Sequence, residues 1–164
     1  MVRATTIANT FIELAKRDGV SITNMQLQKL VYIAHGWSLA LLSRGLIQDR
    51  VEAWQWGPVI PSLYRNLSRY GAGEVDSTIP MLGEQNLKPE EQALVESVWK
   101  SYNQMSAFTL STITHQENTP WSRTVKESGL RSVIPEGYIT EYYRDLYDEQ
   151  IRRKREPANT QSDQ

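Results

Sequence analysis

The chain has 164 residues, with 18 basic and 19 acidic side chains and a net charge of −1. That length suits one domain, and a hydrophobic content of 40% suffices for one core. So even a charge balance gives no global field toward nucleic acid or an anionic membrane, and the absence of cysteine rules out disulfides, thiolate chemistry and cysteine zinc sites.

The opening MVRATTIANT lacks the apolar stretch of a signal peptide. No segment approaches the roughly 20 apolar residues of a membrane span. The expectation is a cytoplasmic protein. Ile7, Phe11, Leu14 and Ala15 fall at helical spacing, and Asp18-Gly19 stops this first helix. Thr23 and Gln26 form a capping box, in which each side chain satisfies a backbone donor of a helix start. Behind it Leu27, Leu30, Val31, Ala34, Leu41 and Leu42 make the stripe of a long central helix, ending at Arg44-Gly45. Gly36 costs that helix about 1 kcal/mol relative to alanine, so another element is expected to approach closely there.

The helical period is lost over residues 46–60. Val51, Ala53 and Gln55 alternate with Glu52, Trp54 and Trp56, which allows a short strand, and Gly57-Pro58 reads as a turn. Pro61 opens the next helix, with Leu63, Tyr64, Leu67 and Tyr70 on one side and Gly71 as its terminator. Residues 72–88 have no period and the composition of a mobile loop. Pro89 starts a helix with Leu94, Val95, Val98, Trp99 and Tyr102 as its stripe. Ser106 caps another through Leu110 and Ile113, and Thr119-Pro120 caps a short one at Trp121. The last helix starts near Pro135, carries Ile139, Tyr142, Tyr143, Leu146 and Tyr147, and ends in the basic run 152–155. Residues 156–164 have the composition of a disordered tail. The sum is a single compact helical domain, mainly α, around a long central helix, with at most a small β element near residues 46–60.

Enzyme signatures are missing. There is no glycine-rich phosphate loop and no GxSxG. His35 and His115, with Glu52 and Glu117, are the only candidates for a metal or an acid/base pair, and no HxxxH, HxH or HExxH spacing supports them. A hydrogen-bonded histidine at the rim of the core is the plainer reading. The basic run 152–155 suits a helix C-terminus, where the macrodipole favours cations. Nothing interleaves aromatic and basic residues as an RNA-binding sheet does, so nucleic acid is not an expected partner. The aromatics of residues 52–70 leave two readings open: core filling, or the centre of a protein interface, where Trp, Tyr and Arg are enriched.

Three blocks, LQKLVYIAHGW (27–37), EAWQWGPVIPSLYRNLSRYG (52–71) and LSTITHQENTPW (110–121), occur in this order and at these separations. Together they resemble the Panacea-domain family, also described as SocA-like or phage-associated GepA-like proteins, which lie in prophages and defence loci. The resemblance implies a Panacea domain over residues 1–155. It implies a non-enzymatic antitoxin, without cofactor, that neutralises a cognate protein toxin encoded next door by direct binding. An adaptor that delivers the toxin to a AAA+ protease is the alternative, and a histidine- or metal-dependent defence enzyme is a third reading. The motif positions here are Leu27, Gln28, Lys29, Leu30, Tyr32, His35, Glu52, Ala53, Trp54, Gly57, Pro58, Val59, Pro61, Tyr64, His115 and Trp121. A domain that meets different toxins must vary where it touches them, so these are read as scaffold. Trp54 is then expected against the central helix, with Glu52 held by Gln28, Lys29 or His35. The expected contact residues are Trp56, Arg65, Arg69 and Tyr70.

Overall fold

The N-terminal helix α1 (Ala4–Asp18) turns its apolar face, with Ile7, Phe11 and Leu14, onto α2 (Asn24–Leu41). The α2 start is built as its sequence implies. Gln26 N donates to Thr23 Oγ1 at 3.3 Å, and Thr23 N donates to Gln26 Oε1 at 2.9 Å. Nearly every residue of α2 up to Leu39 is buried, because it lies at the centre with α1 and later elements on all sides. The computed structural model describes residues 1–156. It shows seven helices and one two-stranded sheet within them, the mainly α architecture expected.

The strands β1 (Glu52–Trp54) and β2 (Gly57–Val59) form an antiparallel hairpin, and α3 (Pro61–Leu67) follows with a 3-10 turn at Ser68–Tyr70. The helices α4 (Pro89–Tyr102), α5 (Ala107–His115), α6 (Pro120–Ser128) and α7 (Glu136–Arg155) complete the chain. Ser106 caps α5 and Thr119 caps α6, each accepting from a backbone N–H three residues on, as their positions imply. The longest packing contact is that of α7 along α2. Gly36 makes it possible: a Cβ at this position would lie 2.3 Å from the Tyr143 ring. Tyr143 fills the space a side chain would need, which is the close approach the glycine implied.

Four expectations change. The central helix ends at Leu41, not at Arg44-Gly45, because Ser43 takes a positive φ of 55° and Ser38 Oγ donates to Arg44 O, reversing the chain. Gly57-Pro58 is no turn. The register pairs Trp54 with Gly57, so Gln55 and Trp56 are the turn and Gly57-Pro58 is strand. Tyr64 does not share the inner side of α3: Leu63 and Leu67 are buried, whereas Tyr64 faces outward. The segment 72–88 has no helix or strand, yet it is tied down. Ile79 exchanges two hydrogen bonds with the Asn9 side chain, and Val75 N donates to Ile22 O. The tail expectation for 156–164 falls, beyond Glu156, outside the described residues.

Candidate functional site

Side chains from three helices hold the hairpin by its backbone. Trp121 Nε1, on α6, donates to Trp54 O at 2.7 Å. Ser111 Oγ, on α5, donates to Trp56 O at 2.6 Å. Lys29 Nζ, on α2, donates to Pro58 O at 2.9 Å, and Ile60 N donates to Gln28 Oε1, one residue earlier on the same helix, at 2.9 Å. A third segment lines the other side of β1: Ala53 N donates to Ser132 O and Ile134 N to Val51 O, pairing Glu52 with Val133. Four backbone groups near the tip thus have fixed partners, as buried peptide groups require.

Lys29 is 1% exposed, and no carboxylate pairs with it among the described residues. Burial therefore pulls its pKa down to about 7. Gly57 fits this arrangement in two ways. Its φ is +111°, and a Cβ there would sit 3.1 Å from Lys29 Nζ and 3.3 Å from Thr114 Oγ1. Gln28 completes its own bonding by donating from Nε2 to Asn24 Oδ1 at 3.0 Å.

The outer face of the hairpin corrects two expectations. Ala53 is fully buried, and side chains alternate along a strand, so its neighbours Glu52 and Trp54 point the opposite way. Trp54 therefore does not lie on α2. Its half-buried ring packs 5.1 Å from the Tyr64 ring, with the Arg131 guanidinium 3.9 Å away on it. Glu52 is held neither by Gln28 nor by Lys29 nor by His35. It accepts from Arg50 Nε at 2.7 Å and from Trp54 Nε1 at 3.1 Å, and the bond from Arg50 is the main cause of its lowered pKa.

His35, 3% exposed, accepts at Nδ1 from the backbone N–H groups of Leu46 and Ile47 at 3.1 and 3.3 Å. The ring is therefore neutral with its remaining proton on Nε2, and burial holds its pKa near 4. The Nδ1 lone pair has no capacity left for a metal. His115 sits on another element, its Nδ1 against Ser111 O and its ring edge-on to Trp121 at 5.3 Å. Glu117 pairs with Lys126. Among the described residues no group of three or more His, Asp or Glu side chains comes together to hold a metal. Tyr32 is buried edge-on to Tyr143, and its hydroxyl has no partner among the described residues.

The four expected contact residues divide. Trp56 stands at the hairpin tip and is 60% exposed. Arg65 is exposed on α3. Arg69 and Tyr70 make a separate cluster: Arg69 Nη2 donates to Tyr70 Oη at 2.9 Å, and Tyr70 Oη bonds Ser77 Oγ at 3.0 Å. The sequence reading missed Phe108, which is 80% exposed on α5. The signal was present, since on a helix whose inner face carries Leu110 and Thr114, residue 108 falls outside the stripe.

The model of the family described as "Antitoxin SocA-like, Panacea domain" matches residues 27–122. The chain belongs to this family. It is also 32% identical over 129 residues to the protein named Antitoxin SocA of Caulobacter vibrioides (strain NA1000 / CB15N), a match covering 73% of this chain and 69% of that protein. No solved structure matches. The matched segment contains the whole hairpin and all four clamp donors and acceptors, Gln28, Lys29, Ser111 and Trp121. No helix among the described residues is long and apolar enough to cross a membrane.

Proposed function

We propose that this protein is a non-enzymatic cytoplasmic antitoxin that neutralises a cognate protein toxin by direct binding, with Trp56 at the contact. Membership of the SocA-like family and the name of the Caulobacter relative support the antitoxin role. The observation that carries direct binding is a large aromatic side chain, exposed on a tip whose backbone is tied to three helices. An exposed tryptophan on a fixed backbone is the kind of residue that dominates binding energy, because little backbone freedom is lost on contact. The scaffold side chains Gln28, Lys29 and Trp121 act on this reading by holding the hairpin rather than by touching the partner.

The test is co-expression with the product of the adjoining reading frame. The expected outcome is restored growth and a complex that survives gel filtration, as an interface of roughly 1,200–2,000 Å² would allow. Rescue without a detectable complex, lost in cells lacking AAA+ proteases, would count against masking and in favour of delivery for degradation.

A further inference from the structure

We infer that the toxin-contacting surface is shared between the hairpin tip and α5, with Trp56 and Phe108 as its two anchors, and that the partner meets it with an apolar, uncharged surface. This rests on the antitoxin reading above and extends it by naming the second half of the site and the chemistry of the partner.

Two of the most exposed large apolar side chains are Phe108 at 80% and Trp56 at 60%. They belong to elements joined directly to each other. Phe108, Ser111 and His115 are spaced by three and four residues, so they form one strip along α5. The middle member, Ser111, donates its hydroxyl to Trp56 O. The strip carrying Phe108 is therefore the one that adjoins the hairpin tip. The same strip continues through His115 to Trp121, whose indole holds Trp54 O.

Charge singles out the same place. Although 23% of the chain is charged, residues 53–64 and 101–116 contain no Asp, Glu, Lys or Arg at all. Those two stretches hold the hairpin tip and α5. Aromatic enrichment with charge depletion is the composition of an interface centre, not of a solvated face. It also constrains the partner. The charged groups on this face of the hairpin, Arg131, Arg50 and Glu52, gather at Trp54. A partner charge pressed onto Trp56 and Phe108 themselves would therefore lose its hydration and find no counter-charge on the stretches that carry them, which is strongly unfavourable. The matching surface is therefore apolar and uncharged.

The experiment is isothermal titration of the protein with the purified product of the adjoining reading frame. Trp56→Ala and Phe108→Ala should each weaken binding by about ten-fold or more while melting like the parent protein, since both side chains are exposed. Thr112 is exposed one turn beyond Phe108. Thr112→Glu and Thr112→Lys should both weaken binding, because a charge of either sign is unmatched. Raising salt from about 50 to 500 mM should leave affinity within roughly three-fold. Unchanged affinity of Phe108→Ala in an intact complex would overturn the shared surface and leave the antitoxin reading standing. Opposite effects of the two Thr112 variants, or a steep salt dependence, would overturn the uncharged partner. A homodimer that Phe108→Ala dissociates would assign the surface to a second copy of this chain. Absence of both complex and rescue would remove the antitoxin reading itself.

Discussion

The inner and outer sides of the hairpin are built from different kinds of side chain. On the inner side, polar groups are buried or half-buried and each has a defined partner: Lys29 on Pro58 O, Gln28 on Ile60 N, Ser111 on Trp56 O and Trp121 on Trp54 O. On the outer side, aromatic groups lie at or near the surface, with Trp54 between Tyr64 and Arg131 and Trp56 open at the tip. Ala53 and Val59 follow the usual distribution, apolar within, and the two tryptophans depart from it. A buried polar group is tolerated only with good geometry, so the inner side specifies position. Exposed aromatic area contributes free energy only once something covers it, so the outer side is where association gains.

Substitutions that break this division should rank by how directly they disturb the inner side. Gly57→Ala should destabilise most, by about 3 kcal/mol, because it combines a left-handed backbone with a Cβ placed against Lys29 and Thr114. Chemical denaturation reads this as a lower midpoint at unchanged slope, and a near-parental midpoint would show that the clamp yields easily. Gln28→Ala leaves Ile60 N without its acceptor and should cost about 2 kcal/mol by the same measurement. Trp54→Ala should cost less, about 1–2 kcal/mol, since the ring is half-buried and the loss is its packing on Tyr64 and Arg131. A loss as large as that of a fully buried tryptophan would place Trp54 with the core after all.

Acidity probes the inner side without mutation. The folded-state pKa of Lys29 is depressed from 10.5 to about 7, so between these values the unfolded chain holds the extra proton and stability rises with pH. His35 is depressed from 6.5 to about 4, and stability likewise falls as pH drops through that window. Each group contributes at most about 1.4 kcal/mol per pH unit. Melting curves should move upward from acid to mildly alkaline conditions, and Lys29→Met should flatten the alkaline part alone. The smallest effect is expected outside: Trp56→Ala should shift stability by less than about 0.5 kcal/mol.

Local signals in the sequence were legible where one short segment determines the outcome. The Thr23–Gln26 box, the caps at Ser106 and Thr119, and Gly36 each specify a feature by themselves or with a neighbour. The family blocks likewise mark the chain as SocA-like. The hairpin register was not legible, because strands of three residues carry too little alternation to distinguish Gln55-Trp56 from Gly57-Pro58 as the turn. Nor were the clamps. Trp121 meets Trp54 across 67 positions, and a lysine in a helix reads as solvated until a carbonyl is found opposite its amine. Phe108 escaped notice for another reason: it lies off the stripe of Leu110 and Ile113, and a residue off the stripe reads as ordinary surface.

The clamps grip peptide carbonyls and one peptide N–H, and these groups are the same whatever side chain the residue carries. Only Gly57 is constrained by its own shape. Gln55 and Trp56 are thus mounted on a frame that does not register their identity. Exchange of these two side chains alters the surface of the tip at almost no cost to the frame. On the proposed antitoxin reading, a change of partner would begin at two codons, with folding and recognition written in separate parts of the same hairpin.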